Sequence, residues 1–457
     1  MDNLMDPNPK TYESPLASRY ASPEMGALFS PYSRALIWRN LWIALAEGEQ
    51  ELGLPITDEQ IDELIAHSEE IDFDQVARYE KELHHDVMAH IRAYGDRCPS
   101  ARKIIHWGAT SCFVTDNGDL ILMREGLQIL AYKLERVIHA LTAFAKTYAK
   151  LPCLAFTHFQ PAQLTTVGKR AALWLQDFQD DFQELNNRLE KLRFLGVKGA
   201  TGTQSSYLAL FDGDSDKVEE LDRLVAKKMG FFNIYTVTGQ TYPRKQDFQL
   251  LNALAAIAIS ASKFATDLRL LAHLKEIQEP FEEKQVGSSA MPYKRNPILA
   301  ERICSLSRYL INLSANGAQT ASSQWLERTL DDSANRRLTL PEAFLTADAL
   351  LELLLKVIKG LQVNKEMIGK HVEEELPLMA TENILMAAVK KGGDRQALHE
   401  KLRTMVLEGD VKTLLTRIVQ DKSFGLSEHE LNKIVSVEAF IGRAPEQVEA
   451  LIQRGFS

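Results

Sequence analysis

The chain has 457 residues, 45% of them hydrophobic and 25% charged, a composition typical of globular proteins with two or three domains. Its formal net charge of −9 argues against a general nucleic-acid binder, because such a protein needs a basic face for the phosphates. A local basic pocket for an acidic small molecule is compatible with this charge balance.

Cysteine spacing and hydropathy indicate the compartment. The four cysteines lie far apart, without the paired spacing of a zinc site or a disulfide framework. The longest apolar stretch, residues 250–261, is too short for a bilayer, and the first residues lack the pattern of a signal peptide. We therefore expect a soluble, cytoplasmic protein with reduced thiols.

The first elements predict a small helical domain over residues 1–111. Residues 1–20 are rich in Pro and Ser and are interpreted as an extended arm. Helical apolar spacing follows at 32–53, a capping pattern at Thr57 opens the next helix, and 80–94 is predicted as one further helix.

The helix predicted at 80–94 carries a group of titratable side chains, His84, His85, Asp86 and His90. His85 with Asp86 is a candidate pair for positioning a substrate. The three histidines fit a solvated helix face equally well.

Two hydroxyl side chains, Thr110 and Ser111, stand directly before a predicted long helix. A helix N-terminus attracts carboxylates, so the pair is a candidate substrate site. A plain helix cap is the alternative reading, and both can hold together.

The middle of the chain, residues 112–363, predicts a bundle of about five long helices. Leucines and aromatic residues recur there at spacings of three and four, and prolines are assigned to the joints, Pro341 among them. Strand-like alternation is nearly absent, and residues 231–237 are the only weak strand candidate. Helices of about thirty residues leave apolar stripes uncovered in a single copy, so we expect packing against other subunits.

His158 lies in a predicted joint before a long helix, between Thr157 and Gln160, which can orient an imidazole. Histidine titrates near neutral pH and can give a proton to a departing nitrogen. The alternative is a structural histidine that bonds a turn carbonyl.

The segment at 287–297 reads GSSAMPYKRNP and combines hydroxyls, a lysine and an arginine between turn-forming residues. Such a loop is suited to act as an anion-binding lid. An ordinary Ser/Pro loop with solvated cations is the alternative.

A second polar run, residues 327–337, contains Arg328, Ser333 and Arg337, which offer guanidinium groups and a hydroxyl suited to a phosphate. Its mixed charges also fit a solvated loop. The last part, residues 364–457, predicts short amphipathic helices at 382–391, 395–407 and 411–419 in a compact C-terminal domain.

The string at 287–297 resembles the signature of the fumarase/aspartase superfamily, whose members split a C–N or C–O bond and release fumarate. Its AMPYKRNP part is most similar to the adenylosuccinate lyase family. A match of this length in register is far more specific than a short glycine motif. The resemblance runs from Ser14 into the early C-terminal domain, and the tail beyond about Val435 has no assigned role.

The resemblance implies the roles of the catalytic residues. His158 matches the general acid, Ser288 the base, Lys294 a residue that stabilises the carbanion, and Asn296 an assisting residue. A serine hydroxyl is a weak acid, so chemistry alone favours a carboxylate or a second histidine as the base.

It also implies which residues bind the substrate. The phosphate ligands match Arg328, Ser333 and Arg337 with Arg19 and Tyr20, whereas Thr110 and Ser111 match ligands of the succinyl group. The other matched binding residues are His84, His85, Asp86, Gln240 and Arg302. Without the resemblance, Gln240 would be interpreted as an ordinary polar turn residue. Arg302 matches a residue that the family contributes from another subunit. The family carries Arg where this chain has His84, so a permanent cation is replaced by a titratable one.

For the whole protein, the resemblance implies an all-α, fumarase/aspartase-like fold with a central long-helix bundle flanked by two smaller helical domains. It implies a homotetramer with active sites shared between subunits. The implied reactions are β-elimination of fumarate from adenylosuccinate to give AMP, and from SAICAR to give AICAR, without metal or cofactor. The alternatives are argininosuccinate lyase, which the phosphate-binding run disfavours, and a structural protein on the same scaffold.

Overall fold

The computed structural model describes residues 10, 12–282, 290–291, 293–409 and 413–455, and this part of the chain is mainly helical, as expected for the all-α class. A single π-helical turn at Leu16–Tyr20 replaces the extended arm predicted there. The helices before residue 150 are α1 (Pro23–Leu28), α2 (Pro31–Glu51), α3 (Asp58–Ala66), α4 (Phe73–Leu83), α5 (Asp86–Arg97) and α6 (Ser111–Thr147).

Local sequence explains where these helices begin. Thr57 and Gln60 form the reciprocal capping box that the sequence predicted at the start of α3. The single helix predicted at 80–94 is wrong, because His84 adopts a left-handed conformation (φ 53°) that ends α4. A new helix, α5, then begins after His85, whose ring accepts from the backbone of Met88.

Five long helices lie within the described part of residues 111–359, as the apolar spacing predicted. They are α6, α7 (Val167–Lys191), α10 (Lys245–His273), α11 (Ile298–Ser322) and α12 (Asp331–Lys359), with the short α8 (Ser205–Leu210) and α9 (Ser215–Lys228) between them. The apolar stripes are buried, for example Leu130 and Leu134 of α6 and Phe264 of α10. One proline is misassigned, since Pro341 lies inside α12 and not at a joint.

A β-hairpin contradicts the expectation that strands are nearly absent. Strand β1 (Pro152–Thr157) pairs antiparallel with β2 (Gln160–Thr166), and the short strands β3 (Ile277–Gln278) and β4 (Gln362–Val363) pair likewise. Residues 231–237, the predicted strand candidate, form only an isolated bridge between Ile234 and Phe194.

The C-terminal part begins with a longer helix than predicted. Helix α13 spans Lys365–Lys390 and contains Pro377, so the short segment predicted at 382–391 is the end of this helix. The following helices are α14 (Arg395–Glu408), α15 (Leu414–Gln420), α16 (Glu428–Ile434), α17 (Val437–Phe440) and α18 (Ala444–Arg454), with a 3-10 turn at Lys422–Phe424. Apolar side chains from α13 to α16 form their own core, with Ile384, Leu414 and Phe424 at most 1% exposed.

The chain divides into two compact units. The first unit combines residues 1–134, 181–261 and 305–352, and the second unit combines 135–180, 262–304 and 353–457. The three consecutive domains expected from the sequence stay a prediction. Helix α10 is long and apolar enough to cross a membrane by length and composition alone, but 61% of its most apolar stretch is buried, as in the core helix of a soluble protein.

Candidate functional site

Four of the predicted binding residues form a chain of polar contacts in the first unit. The Ser111 hydroxyl lies 3.3 Å from His85 Nε2, and His85 Nδ1 lies 3.7 Å from Asp86 Oδ1. Arg337 Nη2 then donates to Asp86 Oδ2 over 2.5 Å. These contacts join α5, α6 and α12 through side chains that present a hydroxyl, an imidazole and a guanidinium to solvent.

The break between α4 and α5 explains how His85 and Asp86 reach this position. His85 is the N-cap of α5 and Asp86 its first residue, so both lie at a helix end and not on a solvated helix face. Asp86 Oδ1 also accepts from the backbone of Val87 over 2.8 Å, which holds the carboxylate at the helix start. His84 is exposed, and its side chain has no hydrogen bond to the described residues.

Ser111 is the first residue of α6, with Thr110 immediately before it, as the sequence predicted. The next residue, Cys112, donates its thiol hydrogen to Gln240 Oε1 over 3.4 Å. Gln240 is itself held by its side chain, which donates to Ala200 O over 2.9 Å. The structure therefore places Gln240 beside the hydroxyl pair at the start of α6.

Arg328 lies near the same helix start. Burial raises the pKa of the Cys112 thiol to about 12, a rise that Asp116 increases and the nearby Arg328 and Arg244 oppose. Arg328 Nη1 donates to Thr329 O over 2.5 Å and to Asp332 Oδ1 over 2.7 Å.

Ser333 and Arg337 are spaced by four residues on α12, so they share one face of that helix. Ser333 is half-buried and Arg337 exposed. With Arg328 just before the helix, three of the predicted phosphate ligands lie at the N-terminal end of α12, where the helix dipole also favours an anion.

Two buried ion clusters beneath these residues were not predicted. In one, Arg244 donates from Nη1 and Nη2 to Asp116 and from Nε to Asp332. In the other, Arg336 pairs with Asp247 at 2.7 Å and with Asp119 at 2.9 Å. Only the density of charge at 327–337 hinted at them, since no sequence spacing identifies partners this far apart.

His106 is a further residue that sequence reasoning missed. Trp42 Nε1 donates to its Nδ1 over 2.8 Å, which requires the proton on Nε2. Burial, together with the nearby charge of His85, lowers the pKa of His106 to about 4. A neutral imidazole therefore lies near His85, and its only sequence signal was its place four residues before Thr110.

The arm residues Arg19 and Tyr20 are held near an anchored turn. The Arg19 guanidinium lies 6.0 Å from the Tyr20 ring centre. Two residues later, Ser22 donates its backbone N–H to Asp348 Oδ2 over 2.6 Å, and Asp348 pairs with the buried Lys133 at 2.5 Å.

In the second unit, His158 occupies the two-residue turn of the hairpin between β1 and β2, and not the joint before a helix that was predicted. His158 and Phe159 both have positive φ, 54° and 57°, as a type I′ turn requires. Such turns favour Asn-Gly, so a His-Phe pair is strained, and strain of this kind clusters at functional sites. The imidazole is exposed at the tip of the hairpin.

Charged side chains hold strand β1 of the hairpin in place. Arg170 of α7 donates to the carbonyl oxygen of Leu154 in β1 over 2.5 Å. Arg170 also lies 4.0 Å from the buried carboxylate of Glu276, which contacts His371 at 2.9 Å. These contacts hold the strand that leads to His158.

The signature segment is described only in part, and Ser288 lies outside the described residues. Lys294 is exposed and Asn296 half-buried, both just before α11. Arg302 is half-buried in the first turns of α11. The buried Glu279 accepts from the backbone N–H groups of Leu299 and Ala300, at 3.0 and 2.9 Å, and so caps α11.

The structure thus brings together six of the predicted residues in the first unit, His85, Asp86, Ser111, Gln240, Arg328 and Arg337. His158, Lys294, Asn296 and Arg302 belong to the second unit. Within the described ranges, no group of three or more His, Cys, Asp or Glu side chains is placed to hold a metal ion.

Known structures share this fold. A β-carboxy-cis,cis-muconate cycloisomerase from Acinetobacter calcoaceticus has a TM-score of 0.84, covering 97% of this chain and all of that one. A fumarate lyase from Mesorhizobium sp. BNC1 has a TM-score of 0.83, covering 95% of this chain and 98% of that one. Both are 22% identical to this chain, a level that shows the fold alone.

Sequence comparisons reach further. Residues 41–310 match the family described as Lyase, and residues 377–451 match Adenylosuccinate lyase C-terminus. The chain is 51% identical to an adenylosuccinate lyase of Schizosaccharomyces pombe and 50% identical to one of Saccharomyces cerevisiae, each over 98% of this chain and 95% of the relative. An adenylosuccinate lyase of Pyrococcus abyssi is 31% identical, over 96% of this chain and 97% of the relative. The chain belongs to the adenylosuccinate lyase family.

Proposed function

We propose that this protein is a carbon–nitrogen lyase that eliminates fumarate from adenylosuccinate to give AMP, and from SAICAR to give AICAR. Family membership supports the reaction. The observation that carries the proposal is the chain Ser111–His85–Asp86–Arg337, with Arg328 nearby, because it offers separate donors for a carboxylate and a phosphate.

The substrate has anions at both ends, and the first unit offers a group for each. Thr110 and Ser111 at the start of α6 are suited to the succinyl carboxylates, where the helix dipole adds to the hydroxyl donors. Arg328, Ser333 and Arg337 at the start of α12 are suited to the phosphate, together with Arg19 and Tyr20 from the arm. Gln240, which accepts a hydrogen bond from Cys112, is proposed to contact the substrate as well.

The elimination breaks one C–H and one C–N bond. The base takes the proton from the carbon beside a succinyl carboxylate, and Lys294 with Asn296 stabilises the carbanion. The electron pair then forms the double bond of fumarate as the C–N bond breaks, and His158 protonates the leaving nitrogen.

Ser288 is proposed as the base by family resemblance, and it lies outside the described residues. Ser288→Ala is expected to abolish turnover, with Ser289→Ala as the adjacent control. Near-normal turnover of Ser288→Ala, with none for His158→Gln, would assign the base to another residue.

We also propose a cytoplasmic homotetramer with active sites shared between subunits. Large apolar side chains on the long helices support association between copies, because they are exposed in the single chain: Tyr132, Leu173, Ile259, Leu270, Tyr309 and Leu338. A monomeric mass in light scattering would contradict the tetramer. Mixing His158→Asn subunits with Asp86→Asn subunits, both of reduced activity, tests the sharing, because mixed tetramers then contain some intact sites and exceed the activity of either variant alone.

One assay separates this function from its alternatives. Purified protein is mixed with adenylosuccinate, and fumarate release is followed by its ultraviolet absorbance. Turnover of argininosuccinate alone would favour that lyase, whose substrate lacks the phosphate that Arg328 is proposed to bind. No turnover of either substrate would favour a structural protein on this scaffold.

A further inference from the structure

Asp332, the second residue of α12, contacts two arginines at once. Its side chain is fully buried, and Oδ1 accepts from Arg328 Nη1 over 2.7 Å. Its other oxygen, Oδ2, accepts from Arg244 Nε over 2.6 Å. The carboxylate therefore joins a partly exposed arginine to a buried one.

Arg244 is itself fixed from the opposite side. Its Nη1 and Nη2 donate to the two oxygens of Asp116 over 2.8 and 3.1 Å, which is the bidentate geometry of a strong guanidinium–carboxylate pair. Asp116 also accepts from the backbone N–H of Tyr242 over 3.0 Å. The chain of ion pairs Arg328–Asp332–Arg244–Asp116, the relay, is thus attached at its buried end to α6 and to the segment before α10.

The charges of the relay alternate along its length, in the order Arg328, Asp332, Arg244, Asp116. Burial by itself raises the pKa of Asp332, but Arg244 and Arg328 hold it below its usual value. The relay contains two guanidinium groups and two carboxylates, so its formal charges cancel, and the Arg328 guanidinium is its exposed end. An anion that approaches this end meets the positive group first, because electrostatic interactions weaken with distance.

We propose that Asp332 is a positioning residue for substrate phosphate, which holds the Arg328 guanidinium in the orientation that binds the phosphate. This inference rests on the proposed function, in which Arg328 is a phosphate ligand. It assigns Asp332 no contact with the substrate.

The physical reason is conformational entropy. An arginine side chain loses rotamer freedom when it is held in one geometry, and this loss opposes binding. Asp332 and the Thr329 carbonyl hold Nη1 through hydrogen bonds within the protein. The ordering cost is then met during folding, so phosphate binding is tighter than with a free arginine.

The test compares Asp332→Asn with Asp331→Asn. Asp331 is the neighbouring acid in the same helical turn, is exposed, and bonds Ser323 Oγ at 2.9 Å in place of an arginine. Both variants remove one carboxylate from the N-terminal turn of α12, so the effect on the helix dipole is matched. Turnover of adenylosuccinate by the unmodified protein is measured first, which tests the proposed function separately.

The readout is product inhibition, because AMP carries the phosphate and fumarate does not. Asp332→Asn is expected to raise the inhibition constant of AMP and the KM of adenylosuccinate by about 10-fold, with kcat and the inhibition constant of fumarate within about 3-fold of normal. Asp331→Asn is expected to leave both inhibition constants unchanged. Equal increases for AMP and fumarate, or no change for either, would overturn the proposal.

A double-mutant cycle adds a second criterion. If Asp332 acts through Arg328, the double variant with Arg328→Met binds AMP no more weakly than Arg328→Met alone. Additive losses would contradict the relay. If Asp332→Asn does not fold, Arg244→Lys replaces it, because lysine keeps the buried charge but cannot form the bidentate pair with Asp116. An increase in the inhibition constant of AMP alone supports the relay. An equal increase in the inhibition constant of fumarate refutes it.

Discussion

The Asp86 carboxylate accepts a 2.5 Å hydrogen bond from Arg337, a residue 251 positions away in the sequence. The same carboxylate lies 3.7 Å from the ring of His85. One acid at the start of α5 thus positions both a proposed phosphate ligand and an imidazole that contacts Ser111.

Asp86→Asn tests this double role. The amide keeps the oxygen that accepts from Val87, so α5 is expected to form, but the charge-assisted bond to Arg337 is lost. Such bonds contribute about 1.5–3 kcal/mol, so kcat/KM for adenylosuccinate is expected to fall by about 10- to 100-fold. Glu82→Gln is the control, because Glu82 pairs with Arg92 on the surface at 2.9 Å. A wild-type value of kcat/KM for Asp86→Asn would show that the Asp86–Arg337 pair is only structural.

His158→Asn separates the chemistry of the histidine from the shape of its turn. Asparagine tolerates positive φ well, so the hairpin is expected to keep its type I′ turn. Loss of a general acid lowers kcat by about 10²- to 10⁴-fold. The control is His139→Asn, an exposed histidine of α6, with circular dichroism for both variants. A kcat close to wild type would remove His158 from the mechanism.

Lys294 and Arg295 are adjacent cations that the structure distinguishes. Both side chains are exposed, but Arg295 lies 5.1 Å from the centre of the Phe281 ring, a cation–π contact within the protein. Lys294→Met is expected to lower kcat by at least about 100-fold, because it removes the charge that stabilises the carbanion. Arg295→Met is expected to change kcat by less than about 10-fold. Equal effects in steady-state kinetics would mean that only the total charge of the segment matters.

Glu49 makes stability depend on pH. It is buried, neither carboxyl oxygen has a partner among the described residues, and burial raises its pKa to about 9 from the ordinary 4.5. Below pH 4.5 Glu49 is protonated in both the folded and the unfolded protein. Between pH 4.5 and about pH 9 it ionises only in the unfolded protein. The free energy of unfolding therefore falls as pH rises from about 4.5 to 9, by about 1.4 kcal/mol per pH unit from this group.

Glu49→Gln is expected to remove that loss. Between pH 5 and pH 7, urea unfolding of the unmodified protein is expected to show an additional loss of about 3 kcal/mol compared with this variant. The control is Glu59→Gln, which removes an exposed carboxylate from α3 and is expected to keep the wild-type slope. The same slope for Glu49→Gln and the unmodified protein would show that Glu49 is ionised in the folded state.

Helix prediction from sequence worked where the signal was local and repeated. Spacings of three and four recur along α6, α7 and α10, and a capping box marks the start of α3. The hairpin at 152–166 was missed because its turn is His-Phe and lacks the Asn-Gly signal of such turns. The end of α4 was missed because His84 stands where Gly or Asn is usual.

The sequence by itself determined the long helices and the types of chemistry at hand, since apolar periodicity and motif residues are properties of neighbouring positions. Only the tertiary structure decided which charges meet. Arg244 pairs with Asp332 across 88 positions and with Asp116 across 128, and no spacing rule connects them. Such partners are selected by packing, because a buried guanidinium is stable only where the fold brings a carboxylate to it.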